Sequence, residues 1–274
     1  MPDLYAFPSG NLFASAPFYL YQHKYNKIML NVLKAFFSQS EEALRRAVRH
    51  MRRTSLNLIY QRYSDLTMIR VETYVDNLEL ARRAVPVSGC VVECGVWRGG
   101  MSAGMSEVVG SHRNYFLVDS FEGLPPPKEL DGQAAVDWQK DVNSPGYHNN
   151  CGAEESFAKE AMARASCKNY RLVRGWFENT VPTLTFDEPI ALLRLDGDWY
   201  ESTMTCLTHL YDKVADGGMI IIDDYFAWDG CARAVHDFLS QRSALERLRT
   251  HGNVCYMIKA STREGKPPAP LVPL

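Results

Sequence analysis

The sequence of 274 residues predicts an α/β fold in which helices cover both faces of a mostly parallel sheet. Two observations lead to this prediction. From Val87 onward, short apolar runs alternate with amphipathic helical stretches, which is typical of consecutive strand–helix units. The runs are apolar on consecutive residues rather than on every second one, as expected of strands that are buried on both faces.

The predicted elements divide the chain into three segments. A mostly helical N-terminal extension over residues 1–64 is expected to act as a lid or an oligomerisation arm. The sheet domain follows over residues 65–262, and a flexible Pro-rich tail occupies 263–274. Strands are predicted in GCVVECG, NYFLVDSF, YRLVRGWF, PIALLRLDGD, GGMIIIDDYF and NVCYMIKA. The polar stretch Pro125–Cys151 is predicted to be a long loop, and such loops tend to be lids or binding loops.

Composition and charge exclude several classes of protein. Hydrophobic residues make up 46% and charged residues 23% of the chain, as in ordinary globular proteins. A net charge of -2 argues against nucleic acid as a partner. No apolar run reaches the ~18–20 residues that cross a bilayer, and the N-terminus lacks the pattern of a signal peptide. We therefore expect a cytoplasmic protein with neither nucleic-acid nor membrane partners, whose seven cysteines are reduced thiols.

The segment VVECGVWRGGMS predicts a glycine loop between a strand and a helix. Gly95 and Gly99 let the backbone approach a ligand closely. The spacing does not fit the dinucleotide fingerprint, and the loop has no Walker lysine. It resembles the first motif of S-adenosylmethionine-dependent methyltransferases. The next predicted strand ends in Asp119, ~20 residues further on, where nucleotide-binding α/β folds place an acid that accepts hydrogen bonds from ribose.

Two pairs of acids follow consecutive predicted strands. Asp196 and Asp198 come after one strand, and Asp223 and Asp224 come after the next. A strand–helix–strand unit of this length places its two strands side by side, so their carboxyl ends should meet at one point. Carboxylates so close together repel one another, and a divalent cation would compensate them. All-oxygen ligands favour Mg²⁺, with Mn²⁺ as the alternative.

The motifs ECGVWRGG, VDSFEGLP, GWFENTVP, LRLDGDWYEST and GGMIIIDDYF occur in an order and at spacings that closely resemble the macrocin O-methyltransferase family. These are metal-dependent enzymes that methylate sugar hydroxyls on macrolide and aminocoumarin antibiotics. The resemblance covers roughly Asp65 to Lys259. It implies a Rossmann-like class I methyltransferase fold with a seven-stranded sheet.

Carried over position by position, the resemblance implies a role for each motif residue. Asp196, Asp223 and Asp224 would hold Mg²⁺. Asp198 would be the general base, with the metal-ligating Asp196 as a second candidate. Independently of the resemblance, His148 is a further candidate base, because it lies in the predicted long loop. The residues expected to bind S-adenosylmethionine are Thr67, Met68, Glu93, Gly95, Gly99, Asp119, Ser120, Phe121, Gly175, Trp176 and Phe177.

The expected function is therefore O-methylation of a sugar hydroxyl, dependent on S-adenosylmethionine and Mg²⁺. The acceptor would be a small glycosylated or polyol molecule belonging to a natural product or glycoconjugate, and the enzyme a homo-oligomer, most simply a dimer. One alternative is a catechol-type O-methyltransferase, in which Trp138, Tyr147 and Trp199 stack on an aromatic diol. The others are an NAD-dependent oxidoreductase and a non-catalytic binding protein that retains the cofactor fold.

Overall fold

The computed structural model describes residues 27, 29–32, 41–242 and 246–260. The chain divides into two compact units between Leu56 and Asn57, and the residues discussed below belong to the second unit unless stated. The predicted tail over 263–274 lies outside the described residues. The division of the chain into segments 1–64, 65–262 and 263–274 remains a prediction.

The helices alternate with the strands as predicted. They are α1 (Glu41–Tyr63), α2 (Val71–Ala81), α3 (Gly100–Val109), α4 (Gly132–Lys140), α5 (Glu155–Arg164), α6 (Phe177–Thr180), α7 (Tyr200–Leu210) and α8 (Asp229–Gln241). Short 3₁₀ turns follow several of them, including Arg82–Ala84 and Tyr211–Lys213. Among the described residues, no helix is both long and apolar enough to cross a membrane.

Seven strands form one sheet. They are β1 (Cys90–Cys94), β2 (Tyr115–Asp119), β3 (Tyr170–Arg174), β4 (Ile190–Leu195), β5 (Val214–Ile222), β6 (Arg249–His251) and β7 (Val254–Ile258). Their order across the sheet is β3-β2-β1-β4-β5-β7-β6. Strands β1 to β5 pair in parallel, whereas β7 pairs antiparallel with both β5 and β6. The prediction of a mostly parallel, seven-stranded sheet is therefore confirmed.

The centre of the sheet forms the core. Every residue of β1 and β4 is buried, which accounts for their continuous apolar runs. The chain order reverses between these two strands, because β1 leads outward to β2 and β3 while β4 leads to β5. The crevice beyond the carboxyl ends of the strands at such a reversal is where ligands bind in open α/β sheets.

Two features differ from the prediction. Strand β6 was not predicted. It has only three residues, RTH, and lacks the apolar run by which the other strands were recognised. The stretch Pro125–Cys151 is not a plain loop, because it contains α4 and a preceding 3₁₀ turn at Glu129–Asp131. It also contains a run of four positive-φ residues at 148–151, with φ between 46° and 59°. We call Pro125–Cys151 the excursion.

Tryptophans connect the excursion to the end of β4. Trp138 of α4 packs edge-on against Trp199 and Trp228, with ring centroids 6.2 and 5.9 Å apart. Trp199 and Trp228 pack against each other at 5.1 Å. The Trp199 indole N–H also donates to the Pro125 carbonyl oxygen at 2.8 Å. The excursion is thus packed against the segment that follows Asp198.

Helix α2 is held against the sheet by polar contacts. Asp76, Glu79 and His251 bring their side-chain oxygen and nitrogen atoms within 4.8 Å of one another. His251 Nε2 lies 2.6 Å from Glu79 Oε2. One residue after Asp76, Asn77 is fully buried and contacts the end of β5, as described below. These contacts fix α2 against the antiparallel strands.

Candidate functional site

A cleft of about 480 Å³ opens at the carboxyl ends of the central strands. Many of the residues predicted to form the site line it: Thr67, Met68, Glu93, Gly95, Asp119, Ser120, Trp176, Phe177, Asp196, Asp198, Asp223 and Asp224. The cleft is one continuous space, so the glycine loop and the acidic strand ends face a common ligand volume. The structure brings these residues together, and their individual roles remain predictions.

Three predicted residues do not line the cleft in this structure. Gly99 packs against α5, where a Cβ atom would come within 2.8 Å of the Ala158 Cα. Phe121 lies beside a separate, shallower surface pocket. Gly175 adopts φ +138°, and a side chain there would meet Thr180. The structure therefore gives these three residues packing or backbone roles near the cleft.

Asp119 organises the glycine loop. Its Oδ2 accepts hydrogen bonds from the backbone N–H groups of Val96 at 2.6 Å and Trp97 at 2.8 Å. Its Oδ1 accepts one from the Phe121 N–H at 2.6 Å. Burial raises the pKa of Asp119, and these three backbone donors act in the opposite direction. The carboxylate thus orders both the glycine loop and the turn that follows β2.

Gly95 lies where the end of β1 approaches β4. It adopts φ +90°, and a Cβ atom there would lie 1.7 Å from the Asp196 carbonyl oxygen. Any side chain would therefore have to displace the backbone that carries the acidic strand end.

Gly95→Ala is expected to destabilise the protein by at least about 2 kcal/mol, because backbone strain and a steric clash add together. Thermal unfolding would measure this effect. Gly217→Ala is the matched control, since Gly217 also has positive φ (+78°) but nothing lies within 4 Å of its Cβ position. Equal losses in the two variants would contradict the close approach at Gly95.

Three carboxylates form a compact group beyond the ends of β4 and β5. Side-chain oxygens of Asp196, Asp198 and Asp224 lie within 4.8 Å of one another. The backbone N–H of Asp198 donates to Asp224 Oδ2 at 3.0 Å, which ties the two strand ends together. Asp198 adopts φ +55°, a strained backbone conformation of the kind that concentrates at functional sites. We call Asp196, Asp198 and Asp224 the carboxylate group.

Burial affects the ionisation of the whole group. Burial, with the neighbouring Asp196 as the next contribution, raises the pKa of Asp198 to about 8. Burial likewise raises the pKa values of Asp196 and Asp224. Trp228 donates from its indole nitrogen to Asp198 Oδ1 at 2.8 Å, which favours the ionised form. A bound cation would remove the mutual repulsion of these carboxylates and favour their ionised forms.

Asp223 faces a different partner from its neighbour Asp224. Its Oδ2 lies 2.9 Å from Arg194 Nη2, and its Oδ1 accepts a hydrogen bond from the Asn77 amide at 2.8 Å. The acids are therefore partly compensated by a buried arginine of the chain itself. Arg194 lies in the motif LRLDGDWYEST, and no role was predicted for it, although a charged residue inside an apolar strand is a signal visible in the sequence.

Other candidates from the sequence lie away from the cleft lining. His148 packs edge-on to Trp97, with ring centroids 5.9 Å apart, and is not among the described residues that line the cleft. Trp138 and Tyr147 pack together at 5.5 Å, and Trp199 is only 2% exposed. The three aromatic side chains proposed to stack on a catechol therefore stack on protein in this structure.

Five parallel strands with an antiparallel β7, a glycine loop after β1 and an acid at the end of β2 define the Rossmann-like class I methyltransferase fold. Comparison with solved structures agrees. The O-methyltransferase NovP superposes with a TM-score of 0.57 and 30% identity, covering 68% of this chain and 81% of that one. The calicheamicin methyltransferase CalS11 superposes with a TM-score of 0.55 at 18% identity, covering 93% and 99%, and so supports the fold alone.

The chain belongs to the macrocin-O-methyltransferase (TylF) family, whose pattern matches residues 22–259. Among its relatives is the demethyldecarbamoylnovobiocin O-methyltransferase of Streptomyces niveus, 37% identical over 175 residues, which are 60% of this chain and 63% of that protein. A second is the 8-demethyl-8-(2,3-dimethoxy-alpha-L-rhamnosyl)-tetracenomycin-C 4'-O-methyltransferase of Streptomyces olivaceus, 37% identical over 179 residues, 60% of this chain and 64% of that protein. The matches span less than two thirds of the length of either relative.

Proposed function

We propose that this protein is an S-adenosylmethionine- and Mg²⁺-dependent O-methyltransferase that acts on a sugar hydroxyl of a natural product or glycoconjugate. The observation that carries the proposal is the shared cleft, in which the glycine loop held by Asp119 faces the carboxylate group. Family membership supports methyl transfer to oxygen. The names of two relatives support a sugar acceptor, since one acts on a rhamnosyl tetracenomycin and another is a mycinamicin III 3''-O-methyltransferase of Micromonospora griseorubida.

The cofactor would lie between the end of β1 and the end of β2. Glu93 and the loop at Gly95 would contact its amino-acid part, while Asp119 would accept hydrogen bonds from the ribose. Three of the four lone-pair positions on Asp119 are already used by backbone N–H groups. The remaining position is on Oδ1, the oxygen that receives a single bond. Trp176 and Phe177 would pack beside the adenine.

The carboxylate group fits a hard divalent cation, because it offers three oxygen donors and no sulfur or nitrogen. Asp196 and Asp224 would hold the cation, with Asp198 facing the same point. Asp223 is the third predicted ligand of the cation. Arg194 and Asn77 contact its two oxygens and would fix the direction of its carboxylate. When bound, S-adenosylmethionine supplies the methyl group and the cation makes an acceptor hydroxyl more acidic.

Asp198 would accept the proton of the acceptor hydroxyl as the methyl group is transferred. Trp228 fixes one of its oxygens, Oδ1, and leaves the other to take the proton. The Asp198 side chain lines the cleft, where the acceptor hydroxyl would lie. Holding the hydroxyl between this base and the cofactor supplies a large part of the rate by positioning alone.

Calorimetric binding of S-adenosylmethionine, with NAD as the competing ligand, tests the cofactor half of the proposal. A panel of rhamnosides, other glycosides and catechols, assayed with Mg²⁺ by mass spectrometry for an added methyl group, tests the acceptor half. Methylation of glycosides but not of catechols is the expected result. Binding of NAD instead of S-adenosylmethionine would refute the function, and turnover of catechols alone would refute the sugar acceptor. Light scattering on the same sample tests the proposed homodimer.

Mg²⁺ affinity is expected to rise with pH between about pH 6 and about pH 8. Burial raises the pKa of Asp198 to about 8, so the carboxyl is protonated below that pH. The cation must then displace the proton, which weakens binding at lower pH. Calorimetric titration with MgCl₂ across this range would measure the slope, and Asp198→Asn should make it shallower. An affinity that does not change with pH would contradict cation binding at the carboxylate group.

A further inference from the structure

Arg194 lies between the two halves of the cleft. One is the cofactor half, which contains Glu93 and the glycine loop, and the other contains the carboxylate group. It is the fifth residue of β4, and its side chain is 0% exposed. Nη1 contacts Glu93 Oε1 at 2.6 Å and Asp196 Oδ2 at 2.8 Å, and Nη2 contacts Asp223 Oδ2 at 2.9 Å. Nε donates to the Asn77 amide oxygen at 3.1 Å. One guanidinium thus contacts carboxylates from three neighbouring strands.

The sheet register explains this arrangement. Glu93 of β1 is paired with Arg194 of β4, and Arg194 is paired with Ile221 of β5. Asp223 follows Ile221 by two residues, and Asp196 follows Arg194 by two. Since parallel strands in register bring equivalent positions side by side, the three acids surround the arginine at the carboxyl edge of the sheet.

Removing the arginine would leave one buried acid, Glu93, and two half-buried acids, Asp196 and Asp223, without this counterion. Glu93 is 1% exposed and belongs to the cofactor half of the cleft, whereas Asp196 belongs to the carboxylate group. Both contact the same nitrogen of Arg194, so its charge offsets repulsion between the two halves. The other Glu93 oxygen, Oε2, accepts from the Ser102 hydroxyl, so both oxygens of Glu93 are fixed in direction before any ligand arrives.

We propose that Arg194 is a positioning residue. Its fixed positive charge keeps Glu93, and with it the cofactor half of the cleft, in place when no divalent cation is bound. The inference rests on the proposed function, because it assigns Glu93 to the cofactor and Asp196 to the cation. It implies that cofactor binding and cation binding are nearly independent in the natural protein. When the arginine is absent, the cation becomes the sole compensating charge, and cofactor binding then depends on it.

The guanidinium group is required for this role and a simple positive charge is not sufficient. A planar fork can contact several carboxylates in fixed directions, whereas a lysine ammonium is a point charge on a flexible stem. Arg194→Lys should therefore retain part of the effect, and Arg194→Met, of comparable length, should remove it. A purely structural arginine would lower stability in both variants without linking the two ligands.

The test measures the dissociation constant of S-adenosylhomocysteine by calorimetry, once in EDTA and once in MgCl₂. For the natural protein we expect the two values to agree within about threefold. For Arg194→Met we expect a loss of about 10- to 100-fold in EDTA, the size typical of removing a residue that orients a ligand, with part of it restored by MgCl₂. Arg194→Lys should fall between the two.

Arg242→Met is the matched control, since Arg242 is a partly exposed arginine paired with Asp212 on the surface. It should leave both dissociation constants unchanged. If Arg194→Met does not fold, Asn77→Ala replaces it, because this change removes the partner of Nε while keeping the charge. It should weaken binding in EDTA by about threefold, as expected for one hydrogen bond.

Three outcomes would overturn the inference. The first is an Arg194→Met protein that binds S-adenosylhomocysteine normally in EDTA, and the second is an unchanged affinity in Asn77→Ala where that variant is used. The third is a natural protein that binds S-adenosylhomocysteine only with Mg²⁺. A natural protein that binds it under neither condition would instead refute the proposed function, and the role of Arg194 with it.

Discussion

Asp198→Asn is expected to reduce turnover by about a thousandfold, within the range of general-base catalysis, and to leave the affinity for S-adenosylhomocysteine nearly unchanged. Asparagine keeps the size and the oxygen that receives the Trp228 hydrogen bond, but it cannot accept a proton from the acceptor. Steady-state rates with an acceptor identified in the glycoside panel, at saturating Mg²⁺, would measure the loss.

The control for this experiment is Asp212→Asn, a change of the same chemistry at a side chain that is 64% exposed. It should behave as the natural protein does. Saturating Mg²⁺ separates loss of the base from weaker cation binding, because Asp198 also belongs to the carboxylate group. Near-normal turnover in Asp198→Asn would remove Asp198 as the base and direct attention to Asp196.

Asp119→Asn is expected to weaken binding of S-adenosylhomocysteine by about 100-fold, which corresponds to roughly 2.7 kcal/mol. Both Asp119 oxygens accept backbone N–H groups. In either orientation, the amide of asparagine points its own N–H₂ at a backbone donor. At least one buried N–H then loses its partner, at a cost of about 1–3 kcal/mol, and the glycine loop loosens.

Calorimetry of S-adenosylhomocysteine and of MgCl₂ on the same protein separates this effect from general damage. Affinity for Mg²⁺ should hold in Asp119→Asn, because Asp119 is not a member of the carboxylate group. Asp224→Asn should show the opposite pattern, with weak Mg²⁺ binding and normal cofactor binding. If Asp119→Asn bound the cofactor as tightly as the natural protein, Asp119 would have no part in that site.

Much of the fold follows directly from the pattern of apolar residues. Buried central strands such as β1 and β4 require continuous apolar runs, and those runs are visible in CVVEC and IALLRL. Strand β6 was missed because three polar residues at the sheet edge carry no such requirement. The helix α4 was missed because it is short, polar and set within a segment rich in proline and glycine.

The site was predicted more fully in its residues than in its electrostatics. The two acidic pairs were expected to meet where β4 and β5 end, and the parallel pairing of these strands places them there. The sequence alone could not show that Asp223 and Asp224 diverge, since adjacent residues of a 3₁₀ turn point in different directions. Nor could it show that Arg194 points inward to Glu93, because strand register is a property of the folded sheet.

The packing of three tryptophans links the excursion to the proposed base. Trp138 belongs to the excursion, while Trp199 and Trp228 flank and hold Asp198. Replacing the excursion with the corresponding segment of another family member would therefore also disturb the side chains that support Asp198. A chimera of this kind keeps that support only if it retains an indole at position 138. The excursion is thus less free to vary than a surface loop that packs against nothing.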